Sequence, residues 1–371
     1  MTDTPTITVS PSSDSIRNGL HYPLGVEWAP PLGEPFKIAE GVYWLRMPLP
    51  LKLDHINLWL LEDGEGWTIV DTSMNTDESK NIWRNIDADF FKGRPVKRVI
   101  CTHMHPDHIG LAGWLCEEFE ADLWVSRLEY LMCKNLTSYT GKEPPAAGIQ
   151  FYTACGFDDE YIEHYKKIFG QFGLMIAPLP HSFRRLVDGE TFEINGQYWQ
   201  SLATTGHSPE HISLYCPALK LIISGDQILP RITPNVGVHP NEPASDSLKE
   251  WLESLHRLRH ILPDNLLVLP SHQQPFYGVR TRLTQLIESH EEGLDRLYEL
   301  LAEPRRVIDC FGALFKSEIT RSTMSMAASE TLAHLNCLIG RKMAVLEQDE
   351  AGVHWVRQLP DAGKLTADLM D

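Results

Sequence analysis

Residues 102–108 read THMHPDH, and this short stretch decides which fold the sequence is expected to adopt. It holds three imidazoles and one carboxylate within six residues, a set that suits borderline divalent metals such as zinc. The β-branched run VKRVICT at 96–102 precedes it and predicts a buried strand, whereas apolar residues at helical spacing follow it. The motif therefore occupies a loop at the carboxyl end of a strand, where α/β sheets place their sites. A solvated histidine-rich turn is the alternative.

Three more candidate ligands follow predicted strands farther along the chain and argue against that alternative. His207 comes after the strand YWQSLATT and a glycine, Asp226 comes directly after LIISG, and His272 follows NLLVLPS. Because each side chain follows a strand, all of them are expected at the mouth of one sheet system. The sequence thus predicts a metal site to which both halves of an α/β fold contribute.

The flanking sequence predicts the elements of that α/β fold. The stretch HINLWLLEDGEGWTIVDT at 55–72 has the pattern of a β-hairpin, and a helix capped by Asn75 follows it. Strands return from Thr191, with a hairpin turn at Asn195-Gly196. We expect a lead-in at 1–36, a catalytic domain at 37–279 with a helical insertion at about 127–180, and a mainly helical domain at 280–371 that ends in a hairpin.

Composition excludes several classes of function. The formal net charge of −17 argues against broad binding of nucleic acid, whose affinity depends on neutralised phosphates. No long apolar stretch predicts a membrane span, and the N-terminus lacks the pattern of a signal peptide. Seven scattered cysteines without a CxxC pair fit a reducing compartment. We therefore expect a cytoplasmic protein with no membrane partner, and leave association into a homo-oligomer open.

The order HxHxDH, then His, Asp and His, resembles the metallo-β-lactamase superfamily over roughly residues 37–278. This resemblance implies an αββα sandwich that binds two divalent metal ions, with zinc expected and iron or manganese as alternatives. It also implies that one metal is held by His103, His105 and His207, and the other by Asp107, His108 and His272, with Asp226 bridging the two. Asp71 matches an aspartate that supports the metal loop in this family. From their positions in the sequence, Arg231 and His55 are predicted either to contact the substrate or to support the site.

The activity implied by the resemblance is hydrolysis by a hydroxide that bridges the two metals. Asp107 and Asp226 are the expected catalytic groups that orient this hydroxide, and proton donation by Asp107 to the leaving group is an alternative. Oxygen-reducing di-iron relatives carry an acid between the first two histidine positions and the aspartate of the motif, whereas this chain has Met104 and Pro106. A redox role is therefore disfavoured.

The substrate is predicted less directly. The layout of two domains resembles the hydroxyacylglutathione hydrolase group, which are thioesterases, and the lactamase-β-like group with a winged-helix-like tail. The acidic composition favours a small molecule with a carboxylic ester, thioester or lactone over RNA. Endoribonuclease or phosphodiesterase activity on RNA is the alternative. The insertion at 127–180 is the candidate segment for specificity.

Overall fold

The computed structural model describes residues 15–359. Residues 1–14 of the predicted lead-in and residues 360–371 of the predicted C-terminal domain lie outside the described residues. The described chain begins with a short antiparallel ribbon of β1 (Ile16–Arg17) and β2 (Leu20–His21). Among the helices of residues 15–359, none is long and apolar enough to cross a membrane.

The first sheet contains seven strands that lie side by side in sequence order. They are β3 (Phe36–Ala39), β4 (Val42–Pro48), β5 (His55–Asp63), β6 (Gly66–Val70), β7 (Val96–Ile100), β8 (Asp122–Ser126) and β9 (Arg184–Leu186). The first four pair antiparallel through tight connections. The pairs from β6 to β9 are parallel, because helical segments connect these strands and return the chain to the same end of the sheet.

Six helices lie in these connections and in the segment before β9. They are α1 (Asp77–Ile86), α2 (Pro106–Ile109), α3 (Ala112–Glu118), α4 (Arg127–Thr137), α5 (Ala146–Ala154) and α6 (Asp159–Ile168). The prediction that Asn75 caps the first helix is wrong by one residue. The hydroxyl of Thr76 accepts the backbone N–H of Ser79, so Thr76 supplies the acceptor that an N-cap requires.

The second sheet contains five strands, also in sequence order. They are β10 (Thr191–Ile194), β11 (Gln197–Thr204), β12 (His211–Cys216), β13 (Leu221–Gly225) and β14 (Leu267–Pro270). The predicted turn at Asn195-Gly196 is confirmed, since both residues have positive φ and join the antiparallel pair β10–β11. Helix α7 (Ser247–Ile261) makes the crossover that leaves β13 and β14 parallel. As a result, β11, β13 and β14 all end on the same side.

The C-terminal part of the chain is mainly helical, as predicted. It contains α8 (Val279–Leu300), α9 (Phe311–Leu314) and α10 (Met324–Gly340), followed by the antiparallel hairpin of β15 (Ala344–Gln348) and β16 (His354–Gln358). These helices share one apolar core with α7, in which Trp251 of α7, Leu283 of α8 and Leu335 of α10 are fully buried. The C-terminal helices therefore thicken the helical layer that covers the second sheet.

Three apolar cores separate four layers and confirm the predicted αββα sandwich. Between the sheets, Trp44 and Trp59 of the first sheet meet Trp199 of the second. The outer face of the first sheet packs against α1, where Trp83 is fully buried. Helices α5 and α6 of the predicted insertion bury their aromatic residues in the same core as α8 and α10, so those aromatics pack the interior.

Candidate metal centre

The seven predicted ligands follow four strand ends, those of β7, β11, β13 and β14, on one side of the sandwich. The structure brings them into two groups, within each of which the candidate ligand atoms lie within 4.8 Å of one another. The first group contains His103, His105, His207 and Asp226, and the second contains Asp107, His108 and His272. Distant parts of the sequence meet here because parallel strands end at one edge.

In the first group, ring nitrogens converge with their lone pairs facing each other. His103 Nε2 lies 2.9 Å from His105 Nδ1 and 3.3 Å from His207 Nε2. His207 donates its Nδ1–H to the carbonyl oxygen of Asn235 at 2.7 Å, which leaves the Nε2 lone pair free. The Thr102 hydroxyl donates to Asp71 and therefore accepts the Nδ1–H of His103 at 3.1 Å. The Nε2 lone pair of His103 is thus free as well. Facing lone pairs of this kind fit a shared cation.

In the second group, the histidines likewise donate their Nδ1–H to neighbouring acceptors. His108 donates Nδ1–H to Asp71 Oδ2 at 2.8 Å, and His272 donates Nδ1–H to the carbonyl oxygen of His55 at 2.9 Å. In the neutral rings, the form that binds a metal, both Nε2 atoms carry lone pairs, and they lie 3.6 and 3.3 Å from Asp107 Oδ2. Within residues 15–359, His108 Nε2 is buried with no hydrogen-bond donor. Such an orphaned acceptor is satisfied by a bound metal.

Asp226 lies between the two groups. Its Oδ2 is 3.5 Å from His207 Nε2, whereas its Oδ1 is 3.5 Å from the Nε2 atoms of both His108 and His272. In the described part of the chain, Oδ1 is buried without a hydrogen-bond partner. The carboxylate thus directs one oxygen to each group, which is the orientation that a bridging ligand needs. The donor set of five imidazoles and two carboxylates fits two divalent ions.

The electrostatics of the centre also favour cations. Burial, together with the neighbouring histidines, lowers the pKa of His103 and brings that of His105 to about 3, so both rings are neutral. Burial alone would lower the pKa of His108 and His272, but the carboxylates of Asp107 and Asp226 outweigh it and raise both. Carboxylates that stabilise a proton on these rings stabilise a metal ion for the same Coulombic reason.

Two glycines let the ligand loops approach their neighbours closely. A Cβ on Gly225, which has φ of +56°, would lie 2.3 Å from His211 Nε2. That nitrogen accepts the backbone N–H of Asp226, so the glycine makes room for the ring that orients this ligand's backbone. A Cβ on Gly206, with φ of +106°, would lie 2.5 Å from the Cβ of Trp251. The loop that carries His207 can therefore lie directly on α7.

Asp71, predicted to support the metal loop, lies fully buried behind it. Its carboxylate accepts the backbone N–H and the hydroxyl of Thr102 as well as the Nδ1–H of His108. It has a φ of 62°, a conformation that costs energy in a non-glycine residue and is common at functional sites. The contacts of Asp71 fix both the first residue of the loop and one ring within it.

His55 and Arg231 lie at the edge of the centre, where both are held by the protein. His55 Nε2 accepts the backbone N–H of Gln273 at 3.1 Å, and the His55 carbonyl orients His272. The guanidinium of Arg231 donates to Gln274 at 2.6 Å and to Glu27 at 3.1 Å. His55 therefore supports a ligand. A substrate contact by Arg231 stays a prediction.

Three supporting residues escaped the sequence analysis. Glu129 on α4 is fully buried beneath the loop of His103 and His105, and Glu330 on α10 accepts the Nδ2–H of Asn235 at 2.9 Å. Asn235 in turn holds His207 through its carbonyl. Glu129 comes three residues after a strand end, which is a signal that could have drawn attention to it. Nothing in the sequence marks the other two, because their contact depends on how α10 packs.

Comparisons with known proteins agree with this architecture. Residues 51–272 match the family model of the metallo-beta-lactamase superfamily, and residues 294–359 match that of a metallo-beta-lactamase-like C-terminal domain. The probable metallo-hydrolase YqjP of Bacillus subtilis (strain 168) is 24% identical over 326 residues, 84% of this chain and 94% of the relative. A linear primary-alkylsulfatase of Pseudomonas sp. (strain ATCC 19151) is 25% identical over 256 residues, 65% of this chain and 45% of that protein.

Two solved structures resemble this fold over most of the chain. A beta-lactamase domain protein from Burkholderia ambifaria superposes with a TM-score of 0.83 at 37% identity, covering 92% of this chain and 98% of that chain. The metallo-beta-lactamase family protein TTHA1429 from Thermus thermophilus superposes with a TM-score of 0.72 at 26% identity, covering 87% and 100%. The superfamily match extends over more than half of the sequence. This chain is therefore a metallo-hydrolase that belongs to the metallo-beta-lactamase superfamily.

Proposed function

We propose that the protein hydrolyses a carboxylic ester, thioester or lactone of a small molecule with the help of two divalent metal ions, of which zinc is the expected species. The observation that carries the proposal is the position of Asp226, whose two oxygens face the two groups of candidate ligands. His103, His105 and His207 would hold one ion, and Asp107, His108 and His272 the other.

The chemistry follows from the charge states of the side chains. When bound, a pair of divalent ions supplies an activated water nucleophile and polarises the bond to be cleaved. Burial alone would raise the pKa of Asp107, but His108 and His272 outweigh it and lower the pKa. Asp107 is therefore a carboxylate at neutral pH, and it accepts a hydrogen bond from the attacking water. This charge state favours orientation of the water over the alternative of proton donation to the leaving group.

The surface charge supports a small substrate. The formal net charge of −17 disfavours a long polyanion, and arginines near the ligand loops are paired with acids. Arg185 lies 3.4 Å from Glu210, and Arg231 lies 3.1 Å from Glu27. These pairs leave little positive charge to steer a phosphodiester backbone towards the centre.

A second candidate substrate is a primary alkyl sulfate. The specific observation in its favour is the similarity to the linear primary-alkylsulfatase over 65% of this chain. A sulfate ester presents an oxyanion to the same ions, so the centre would need no further catalytic group. The extra length of that relative, of which this chain spans less than half, makes this candidate the weaker of the two.

A substrate panel tests the proposal on the metal-loaded protein. Zinc-loaded protein is assayed with acyl thioesters, carboxylic esters, lactones, a primary alkyl sulfate and a single-stranded RNA. We expect acyl turnover that Asp226→Asn reduces more than about 100-fold, because the two oxygens of this carboxylate face both groups of candidate ligands. Asp63→Asn is the matched control, since Asp63 is also a buried carboxylate but pairs with Arg98 in the first sheet. RNA cleavage that depends on Asp226, without acyl turnover, would refute the proposal.

A further inference from the structure

Glu129 makes contacts that link two segments of the metal centre. It lies in the first turn of α4, and its carboxylate is fully buried. Oε2 accepts the backbone N–H of Met104 at 2.8 Å, and Oε1 accepts the Ser208 hydroxyl and the backbone N–H of Glu210, both at 2.7 Å. One side chain therefore bonds to both loops at once.

The bonded residues adjoin candidate ligands on each side. Met104 lies between His103 and His105, and Ser208 directly follows His207. These three histidines come from the ends of β7 and β11, strands of different sheets. Their ring nitrogens can converge on one ion only if the two loops keep a fixed separation. In the described chain, Glu129 is a single group that contacts both loops through hydrogen bonds of ordinary length.

The chemistry of the three donors requires a carboxylate at this position. Two backbone N–H groups and one hydroxyl point at a buried group, so all three partners can be satisfied only by an acceptor. A glutamine has the same shape, but its amide NH₂ would face at least one N–H donor. Hydrogen bonds to an ionised acceptor are also about twice as strong as neutral ones. Burial raises the pKa of Glu129, and the hydrogen bonds from Ser208, Glu210 and Met104 oppose that rise because they stabilise the carboxylate.

We propose that Glu129 is a positioning residue that joins the loop of His103 and His105 to the loop of His207 and thereby sets the metal affinity of the first group. The inference rests on the proposed function only in that these histidines bind a metal. It does not depend on which bond the protein cleaves. In the described residues, the hydrogen bonds of Glu129 go to Met104, Ser208 and Glu210 and not to a ligand nitrogen.

Two ligand variants, each of which retains one of the two ligand groups, serve as backgrounds in which the proposal is tested. His272→Ala disrupts the second group and leaves the first intact, whereas His207→Ala does the reverse. Zinc affinity is measured by competition with a chromogenic chelator in each background, with and without Glu129→Gln. We expect Glu129→Gln to weaken binding about 10–100-fold in the His272→Ala background and to change it less than about twofold in the His207→Ala background. Equal effects in both backgrounds, or no effect in either, would overturn the proposal.

A second readout uses the protein without metal. Hydrogen exchange of the amides of Met104 and Glu210 reports their hydrogen bonds to Glu129 directly. Both amides should exchange faster in metal-free Glu129→Gln protein, while amides in β5 keep their protection. Unchanged protection of both amides would contradict the positioning role.

Two further variants distinguish a specific loss of zinc affinity from a general loss of stability. Ser208→Ala removes one of the three bonds and keeps the carboxylate, so it should weaken zinc binding about fivefold in the His272→Ala background. Asp63→Asn removes a buried carboxylate that contacts Thr68 and Arg98, and it should lower the melting temperature without changing zinc affinity. If Glu129→Gln does not fold, the Ser208→Ala result decides, and an unchanged affinity there overturns the proposal. A protein that binds two ions but cleaves no ester would refute the proposed function alone.

Discussion

The two ligand groups of the metal centre are supported in different ways. The second group is supported by the first sheet, because His108 bonds to Asp71 after β6 and His272 bonds to the backbone of His55 in β5. The first group shares the support of Asp71 through Thr102 and His103, but it also depends on helices, since Glu129 of α4 holds two of its loops and the loop of Asn235 lies against α10. The second group is therefore held by the first sheet, whereas the first group depends on helix packing as well.

This difference has a physical basis. His55 pairs with Pro48 of β4 and its ring accepts the backbone N–H of Gln273, so the carbonyl of His55 has little freedom to move. A helix is held by side-chain packing, and its position changes when that packing changes. We therefore expect the second group to keep its geometry under mild perturbation and the first group to respond to changes in α4 and α10.

The largest expected effect comes from removing one ligand of each group. His207→Ala and His272→Ala should each lower the bound zinc from about two equivalents towards one and reduce turnover more than about 100-fold. Both effects follow from the loss of one imidazole from its group of candidate ligands. Elemental analysis and steady-state kinetics measure them. A wild-type protein that stays at one equivalent in excess zinc would contradict the dinuclear centre.

A smaller effect is expected when the support of the second group is removed. In Asp71→Asn, one side-chain oxygen must serve the Thr102 backbone N–H, the Thr102 hydroxyl and the His108 Nδ1–H. We expect zinc affinity in the His207→Ala background to fall about 10–100-fold and the free energy of unfolding to fall by about 1–3 kcal/mol. Asp188→Asn, at a surface pair with Arg257, serves as control. Unaltered affinity would show that the sheet alone positions His108.

The sequence predicted the second group and its support more completely than those of the first. Asp71 follows a predicted strand and matches the family resemblance, and His55 precedes a predicted strand near the expected site, so both could be proposed from the sequence. Glu129 lies in a region interpreted as an insertion, and the contact of Asn235 with α10 joins residues that are far apart in sequence. Their roles depend on helix packing, which periodicity does not specify. The helix start at Thr76 shows the same limit locally, since Asn75 is an equally good capping residue type.

The smallest expected effect concerns pH and the support of the first group by α10. Burial raises the pKa of Glu330 from 4.5 to about 7, and its bond to Asn235 opposes this only in part. Between these two pH values, Glu330 keeps its proton in the folded protein and has lost it in the unfolded chain. The free energy of unfolding therefore falls as the pH rises from 4.5 to about 7. Glu330→Gln keeps an acceptor for Asn235 and removes this titration.

Melting temperatures at about pH 5 and about pH 8 measure the effect. The melting temperature should fall less between these two pH values in Glu330→Gln than in the wild type. Glu350→Gln, at an exposed turn residue, should behave like the wild type. A decrease of the same size in all three proteins would show that Glu330 does not contribute.

The contact between α10 and Asn235 bears on how this protein can change during evolution. A helix that reaches a ligand through one loop cannot be exchanged freely for the corresponding helix of a relative. Ser329 and Glu330 of α10 must suit Asn235, and Asn235 must present its carbonyl to His207. Substitutions in the C-terminal helices are thus constrained by the metal centre as well as by the packing of these helices. Residues 51–272 and 294–359, which match two different family models, therefore have to change together.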